Sequence, residues 1–367
     1  MSILEELKDL EEEDVIRELR KETIPLVMWG AGSSAPEVDY YLKKHGIIIS
    51  DVFVDDEYYA EGLFFNEKAV LSYSMLKEKY HKVNVILGNS YYEKKEILEK
   101  KSIVRRVFCL FSISYNIFEK TPLTEIEQYI SEFELVYKLL EDNKSKKNLL
   151  AFLKTRVSGN NRYIIDVFEH ETNFFHNTIF KINKDEVYLD VGAYDGDTIR
   201  LFLKENCGNY KYIYALEPDE NNFKELKGFV KKNHINNIQL EKLGAWNCER
   251  GLLFSSEHQV SGVATEDDSS DTDKISKVLV APLDDMFDYI DTVTLIKINY
   301  YKGVKEAVED AENLLKKHAP KLAITIGFDC RNIRCIPLLI KEINPEYKIY
   351  LRYNRGMASG LTLYGIM

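Results

Sequence analysis

Two turns that contain glycine could each hold a cofactor, because each follows an apolar stretch and precedes a pattern typical of a helix. The first lies in PLVMWGAGSSAPEV, from Pro25 to Val38, and the second lies in EVYLDVGAYDGDTIRLF, from Glu186 to Phe202. A strand that enters a helix through such a turn often binds a cofactor at the helix N-terminus. The sequence therefore offers two candidate sites.

The second turn carries the pattern D-x-G-x-x-x-G, formed by Asp190, Gly192 and Gly196. Glycine lets the backbone approach a ligand closely. The next apolar stretch, YIYALE, ends on Glu217, 21 residues after Gly196, which is about the interval expected for a carboxylate that binds ribose hydroxyls. A third stretch ends in LGAW, so that Trp246 could stack on an adenine ring or cap it. We interpret this region as a nucleoside site.

The charge of this turn favours a cationic ligand. Asp190 and Asp195 flank the turn, and two carboxylates repel the pyrophosphate of a dinucleotide. They suit the ammonium and sulfonium groups of S-adenosylmethionine instead. The three closely spaced glycines of a dinucleotide fingerprint are also missing from this turn. The alternative is a structural turn with solvated aspartates.

Alternating strands and helices must position both turns. Strand-like and helix-like stretches alternate up to about residue 118 and again after about residue 185, which indicates parallel, doubly wound sheets. Between them, apolar residues recur at helical spacing. We therefore predict an α/β protein with two Rossmann-like domains, at 1–118 and 172–367, joined by a helical connector at 119–171.

Some individual elements are also predicted. They are a charged helix over 3–22, a strand over Ile47–Val54, one helix over Gly303–Lys317, and a final hairpin made of YKIYLRYN and LTLYGI, which gives the second domain an antiparallel end.

Composition excludes several classes of function. The chain has 367 residues and a net charge of −11, which argues against a nucleic-acid partner. Its apolar runs are all well short of the roughly 18 residues of a membrane span. The N-terminal stretch is acidic, unlike a signal peptide, and five scattered cysteines resemble the free thiols of a cytoplasmic protein. Cys330 and Cys335 have no second pair at suitable spacing, so we predict no metal site.

Residues from about 172 to 366 resemble the FkbM family of S-adenosylmethionine-dependent methyltransferases. The resemblance is carried by VYLDVGAYDGDT, YIYALEPDENNF, LGAW, VAPLDDMFD, TLIKI, PKLAITI, IPLLIKEINPEYKIYLRYN and LTLY. It implies a class I methyltransferase fold, S-adenosylmethionine as cofactor, and methylation mainly of oxygen, often on sugars of glycans or glycosylated natural products.

The resemblance also implies roles for individual residues. Asp190 and Gly192 would line the methionine end of the cofactor, Glu217 would hold the ribose, and Ala245 and Trp246 would lie near the adenine. The rest of the predicted cofactor site consists of Tyr194, Asp195, Gly196, Pro218 and Gly244.

The acceptor side departs from the family pattern. Where the family typically has IKMDIEGAE, this chain has IKINYYKGVKE, which places Asn299, Tyr301 and Lys302 at the aspartate, glutamate and glycine. A histidine and an aspartate expected further on are replaced by Phe328 and Asn332. Asparagine cannot act as a general base, and these losses also remove ligands for a hard metal ion.

Three interpretations of the acceptor side stay open. In the first, the acceptor needs no strong base, as with an amine that arrives neutral. Another residue, such as His258 or Tyr300, could act as the base. The domain could also bind its ligands without turnover. Tyr300 and Tyr301 could alternatively stack on a sugar ring or simply pack, so the candidate catalytic residues are Asn299, Tyr300, Tyr301 and His258.

The first turn supplies Gly30, Gly32 and Ala35 in the pattern G-x-G-x-x-A, and Asp55 and Asp56 follow about 20 residues later. This is a dinucleotide-type fingerprint, but the unit is short and lacks the second half of a dehydrogenase. It resembles the small Rossmann-like modules of sugar-modifying proteins. It could bind a nucleotide or nucleotide-sugar through Gly30, Gly32 and Asp55, serve only for packing, or support NAD-dependent redox chemistry.

The sequence thus predicts a cytoplasmic methyltransferase that acts on a small, nucleotide-sugar or glycan-linked acceptor, at oxygen or nitrogen. The N-terminal module would recognise the nucleotide or sugar part of the acceptor, and the connector could pack two chains into a homodimer. The alternatives are a nucleotide-sugar oxidoreductase centred on Gly30 and Gly32, or a scaffold that keeps a cofactor pocket without catalysis.

Overall fold

The computed structural model describes residues 2–32, 34–89, 94–110, 112–113, 116–117, 120–168, 174–175, 178–247, 250–257, 260–263, 275–300, 303–327, 329–354 and 360–367. These residues fall into two units. Unit 1 comprises the described residues of 1–131 and 147–170, and unit 2 comprises those of 132–146, 171–354 and 360–367.

The α-helices are α1 Ile3–Leu7, α2 Val15–Lys21, α3 Ala35–Lys44, α4 Tyr73–Lys79, α5 Lys94–Glu99, α6 Leu123–Gln128, α7 Ile130–Leu139, α8 Asn143–Ser158, α9 Arg162–Ile165, α10 Asp197–Glu205, α11 Glu220–Lys232, α12 Leu283–Met286, α13 Val304–Glu309, α14 Glu312–His318 and α15 Cys330–Ile343. Short 3-10 helices lie at Leu10–Glu13 and Asp56–Tyr58.

The strands are β1 Leu26–Trp29, β2 Asp51–Val54, β3 Phe64–Phe65, β4 Lys68–Ala69, β5 Leu71–Ser72, β6 Val83–Leu87, β7 Val104–Phe108, β8 Ser112–Ile113, β9 Asn116–Ile117, β10 Val187–Val191, β11 Tyr212–Leu216, β12 Ile238–Glu241, β13 Gly244–Ala245, β14 Arg250–Glu257, β15 Val260–Val263, β16 Ile275–Ala281, β17 Leu295–Ile298, β18 Lys321–Thr325, β19 Lys348–Tyr353 and β20 Leu361–Ile366.

Unit 1 is built on a parallel five-stranded sheet in the order β5-β2-β1-β6-β7. Alternate residues of β1 enter different cores: Met28 packs with Val38 and Leu42 of α3, whereas Val27 packs with Leu76 of α4. The sheet is therefore covered on both faces, as in a doubly wound fold. The strand order reverses between β1 and β6, which is the position where such sheets bind ligands.

Unit 2 contains a seven-stranded sheet in the order β12-β11-β10-β17-β18-β20-β19. In this sheet β12, β11, β10, β17 and β18 run parallel to one another. Strand β20 runs antiparallel to both of its neighbours, β18 and β19. A second sheet has the order β13-β16-β14-β15. The predicted α/β class and the antiparallel end of the second domain are confirmed.

The middle of the predicted connector belongs to unit 2. Leu140 forms a bridge with Ile349 of the edge strand β19, and Arg352 of the same strand donates a 2.5 Å hydrogen bond from Nη2 to Asp142. Burial opposes ionisation of Asp142, but hydrogen bonds from Arg352 and Ser145 outweigh it and lower the pKa of this carboxyl to about 2. This segment therefore covers an edge that would otherwise be exposed.

Three predicted elements have different bounds in the structure. The helix over 3–22 is interrupted, because Asp9 has a left-handed backbone with φ of 66°. The strand predicted from Ile47 begins at Asp51. The helix predicted over Gly303–Lys317 breaks into α13 and α14, where the carboxylate of Asp284 accepts the backbone N–H groups that open α14.

Candidate functional site

A buried ion pair lies beneath the second glycine turn. Asp190 of β10 and Lys297 of β17 are paired in register, and the side chains are 0% and 1% exposed. Lys297 Nζ donates to Asp190 Oδ1 at 2.7 Å and to the carbonyl oxygen of Gly192 at 2.5 Å. Thr198 Oγ1, on α10, donates to the other oxygen of Asp190 at 2.7 Å. The ion pair thus ties together two strands, the turn and the following helix.

This arrangement changes the expected charge of the turn. The sequence suggested two uncompensated aspartates, but the charge of Asp190 is balanced by Lys297, and both of its oxygens are engaged within the protein. Asp195 is half-buried and lies 3.5 Å from Nη2 of Arg200. The predicted preference of an acidic turn for a cation therefore loses its main support, and Asp190 positions the turn rather than presenting a free carboxylate.

Gly192 brings two strand ends together. Its φ is +77°, and a Cβ at this position would lie 2.6 Å from the carbonyl oxygen of Asn299. Its N–H donates to the carbonyl oxygen of Leu216 at 3.0 Å. Conformation and space both require glycine here, because the backbone of the turn packs directly against the backbone at Asn299, which follows β17.

Glu217 ends β11 beside this turn and is only 3% exposed. Its carboxylate accepts the backbone N–H groups of Tyr194 at 2.8 Å and Asp219 at 3.0 Å, and Asn222 Nδ2 lies at 3.5 Å. Burial raises the pKa of Glu217, although these hydrogen bonds act in the opposite direction. A carboxylate has about four acceptor positions, so after these three hydrogen bonds capacity remains for about one ribose hydroxyl.

The third part of the site consists of β13, Gly244–Ala245, and of Trp246, which follows it. A Cβ on Gly244 would lie 3.0 Å from Val280 and 3.6 Å from Pro218. Trp246 is half-buried, packs against Val278 and Val280, and donates its backbone N–H to the carbonyl oxygen of Ala281 at 3.2 Å. The predicted adenine-side residues Ala245 and Trp246 therefore end and follow β13, and Gly244 of the same strand lies close to Pro218, which follows β11.

Tyr300 does not have the properties of a general base. Its hydroxyl lies 3.1 Å from the carbonyl oxygen of Gly303 and 3.3 Å from that of Ala245, so it acts as a hydrogen-bond donor. The residue is half-buried, and burial of its hydroxyl raises the pKa above the usual range, with the charge of Glu306 acting in the same direction. These contacts argue against a role for Tyr300 as a base, which stays a prediction, and they make its hydroxyl a link between Ala245 and Gly303.

The other acceptor-side candidates are only partly described. Asn299 is half-buried and donates its backbone N–H to the carbonyl oxygen of Val191 at 3.1 Å. Tyr301, His258 and Phe328 lie outside the described residues. Asn332 is buried, and its backbone N–H donates to Asp329 at the start of α15.

Residues 190–329 match the family model of the methyltransferase FkbM domain. We refer to this matched range as the FkbM domain. The matched range is narrower than the predicted 172–366, and it contains the Asp190–Lys297 pair, Gly192, Glu217 and Tyr300. The resemblance inferred from the sequence is confirmed for this range.

Solved structures are similar to the chain over different extents. The structure of methyltransferase FkbM from Methylobacillus flagellatus KT has 18% sequence identity and a TM-score of 0.72, and the match covers 99% of this chain and 97% of that one. At this identity the likeness shows a shared fold. An rRNA methylase from Streptococcus thermophilus has 14% identity and a TM-score of 0.33, over 54% of this chain and 96% of that one. None of the curated proteins compared with the chain matches it.

Sequence reasoning missed the role of Lys297 in the FkbM domain. The signal was a lysine inside the apolar strand LIKI, since a lysine is almost never fully buried unless it is paired. Its partner could not be read from the sequence, because strand pairing between β10 and β17 places Asp190 opposite Lys297 across a separation of 107 residues.

In unit 1, the first glycine turn lies at the switch point between β1 and β6. Gly30 has φ of +97° and donates its N–H to the carbonyl oxygen of Phe53 at 2.8 Å, and a Cβ on Gly88 would lie 2.8 Å from the carbonyl oxygen of Gly30. Gly32 is exposed and has open space around it. Asp55 lies 3.0 Å from Lys101 Nζ, so its charge is already compensated.

Across the described ranges, no group of three or more histidine, cysteine, aspartate or glutamate side chains is arranged to hold a metal ion. The helices described by the structure also include none with both the length and the apolar character needed to cross a bilayer.

Proposed function

We propose that the FkbM domain transfers a methyl group from S-adenosylmethionine to a small or glycan-linked acceptor, at oxygen or nitrogen. The observation that carries the proposal is Glu217, a buried carboxylate fixed by two backbone N–H groups at the end of β11, next to the turn of Gly192. In parallel sheets this is where a nucleoside ribose is bound.

The residues of the site fit this cofactor. Gly192 lets the turn pack directly against the backbone at Asn299, which fixes the edge of the site, and Glu217 keeps acceptor capacity for a ribose hydroxyl. Trp246 offers an aromatic face at the end of β13. The Asp190–Lys297 pair fixes the turn without placing net charge in it.

S-adenosylmethionine, when bound, would supply an electrophilic methyl group. The protein would contribute mainly by orienting donor and acceptor for an in-line displacement. Because neither Asn299 nor Tyr300 can take a proton at neutral pH, we favour an acceptor that needs no strong base, such as a neutral amine or an acidic hydroxyl.

Calorimetric titration of S-adenosylhomocysteine into the full chain tests the proposal. We expect binding in the wild type and loss of about tenfold or more in Glu217→Gln, since a charged acceptor of hydrogen bonds is removed. Glu220→Gln is the matched control, because Glu220 is exposed and pairs with Lys224 and Lys242 on the surface. Absence of binding to the folded wild type, or equal effects of the two variants, would contradict the proposal.

A second candidate function is a cofactor-binding scaffold without turnover. It is favoured by the acceptor side, where Tyr300 is committed to backbone carbonyls and Asn299 replaces the expected aspartate. The two functions differ in one measurement. A scaffold binds S-adenosylhomocysteine but gives no methylated product with any acceptor, whereas the methyltransferase converts S-adenosylmethionine to S-adenosylhomocysteine in a reaction that depends on the acceptor.

We further propose that unit 1 recognises a nucleotide or sugar part of the acceptor. The support is the position of Gly30, Gly32 and Gly88 at the switch point of the sheet. Gly32→Val tests this idea, because open space surrounds Gly32 and the fold should tolerate the larger side chain. We expect the variant to lose binding of a uridine diphosphate sugar probe. Unchanged binding would contradict the proposal. The oxidoreductase alternative is tested separately by fluorescence titration with NADH, which should bind only if unit 1 holds a nicotinamide cofactor.

A further inference from the structure

Unit 1 contains a cavity of about 110 Å³ that is separate from its glycine turn. It lies between β7, α2, α5 and α9. Part of its wall is apolar and consists of Val15, Val107 and Phe108, which are at most 5% exposed, together with Ile165. Such a wall favours a ligand with a hydrocarbon part.

The remaining wall carries charges that are mostly balanced within the cavity. Arg106 pairs with Glu18, and Lys95 lies 3.1 Å from Glu99. These two pairs contribute no net charge to the lining. A carboxylate already held by its own cation is also a poor partner for a ligand ammonium group, which makes a cation or a zwitterion a weaker fit.

Arg162 is the cation whose partner lies outside the lining. Its Nη2 donates to Glu13, which does not line the cavity, and to the hydroxyl of Tyr163 at 2.7 Å. The guanidinium carries further donors on Nε and Nη1. Beside it, Asn160 accepts the backbone N–H of Arg162 through Oδ1 at 3.1 Å, so the group it can offer to a ligand is its Nδ2 donor. Among the lining residues alone the charges leave one positive charge, that of Arg162, next to an amide donor, and its counter-charge Glu13 lies outside the lining.

We propose that this cavity binds a small organic monocarboxylate, with the carboxylate at Arg162 and Asn160 and the hydrocarbon part on Val15, Val107 and Ile165. Guanidinium groups bind carboxylates through charge-assisted hydrogen bonds, which are roughly twice as strong as neutral ones. Since an apolar cavity of about 150 Å³ holds benzene, the ligand should have about four to six non-hydrogen atoms.

The proposal is tested by measuring how tightly butyrate, 1-butylamine and 1-butanol bind to the full chain. Calorimetry and ligand-observed NMR give the three affinities. We expect butyrate to bind about tenfold or more tightly than the amine or the alcohol, because only the carboxylate complements Arg162. Equal binding of butyrate and butanol would show an apolar pocket without carboxylate recognition and would overturn the proposal. So would the absence of butyrate binding to the folded protein.

Three variants separate recognition from folding. Arg162→Gln should weaken butyrate binding about tenfold or more, and Arg162→Lys, which keeps the charge, should recover part of it. Glu13→Gln removes the same Arg162–Glu13 pair but leaves the lining unchanged, so butyrate should bind at least as tightly as in the wild type. If Glu13→Gln loses binding as strongly as Arg162→Gln, the arginine acts only through the local fold and the proposal is wrong.

Discussion

Trp246 lies so close to Gly303 that no side chain fits between them. A Cβ on Gly303 would approach Cζ3 and Cε3 of the indole much more closely than the 3.0 Å that real Cβ atoms keep. Gly303 also has φ of +101°, which L residues with a side chain rarely adopt. The contact joins the end of β13 to the loop that follows β17, where the predicted cofactor side and the predicted acceptor side of the FkbM domain meet.

Replacing Gly303 with alanine should therefore destabilise the protein. We expect a loss of about 2–4 kcal/mol in the free energy of unfolding, from the left-handed backbone and from overpacking against Trp246. Urea denaturation measures it. Gly228→Ala is the control, because Gly228 lies within α11 with open space around it and should gain about 0.5–1 kcal/mol. Equal stability of the two variants would argue against the contact.

The Asp190–Lys297 pair should behave as one unit. Removing either partner leaves a buried charge uncompensated, so Lys297→Met and Asp190→Asn should each cost about 3–5 kcal/mol of unfolding free energy. The double variant should cost clearly less than the sum, since neither charge then remains buried. A double-mutant cycle from urea denaturation measures the difference. Additive effects would mean that the two groups do not interact energetically.

The contrast between Glu217 and Asp190 shows what the sequence could predict. Both carboxylates end or nearly end an apolar run, and both were expected to face the ligand. For Glu217 the local spacing was sufficient to place the carboxylate at the end of β11 beside the glycine turn, because that position depends only on a strand and the turn that follows it. For Asp190 the decisive neighbour is Lys297, which lies far away in sequence and is brought there by parallel pairing of β10 and β17. Long-range pairing of this kind leaves little trace in a single sequence.

The helical stretch after Gly303 shows the same limit. Its apolar spacing predicted one helix, and the spacing does continue through α13 and α14. The break depends on Asp284, whose carboxylate accepts the N–H groups of Asn313 and Leu314 from a distant part of the chain. Apolar periodicity predicts which face of a helix is buried, but it does not predict a helix end that is capped by a side chain from a distant part of the chain.

Tyr300→Phe should distinguish a structural hydroxyl from a catalytic one. The variant loses one hydrogen bond to the carbonyl oxygens of Ala245 and Gly303, worth about 1 kcal/mol. We therefore expect a small fall in unfolding free energy and a weaker affinity for S-adenosylhomocysteine, while kcat of methyl transfer stays within a few-fold of the wild type. A general base would be revealed by a fall in kcat of about 10²–10⁴-fold with unchanged affinity.

Stability should also depend on the ionisation of Asp310, which follows α13. Burial, together with the charges of Asp284 and Asp285, raises the pKa of Asp310 to about 6 from its usual value near 3.8, although backbone hydrogen bonds oppose the shift. Because the folded state favours the neutral carboxyl, its contribution to stability is complete below about pH 3.8 and is lost as the pH rises through about 6.

Asp310→Asn removes this titration. We expect the variant to gain stability relative to the wild type between about pH 4 and pH 6, with a constant difference above that range. Urea denaturation of both proteins at several pH values measures the trend, and a difference that does not change with pH would show that Asp310 ionises normally.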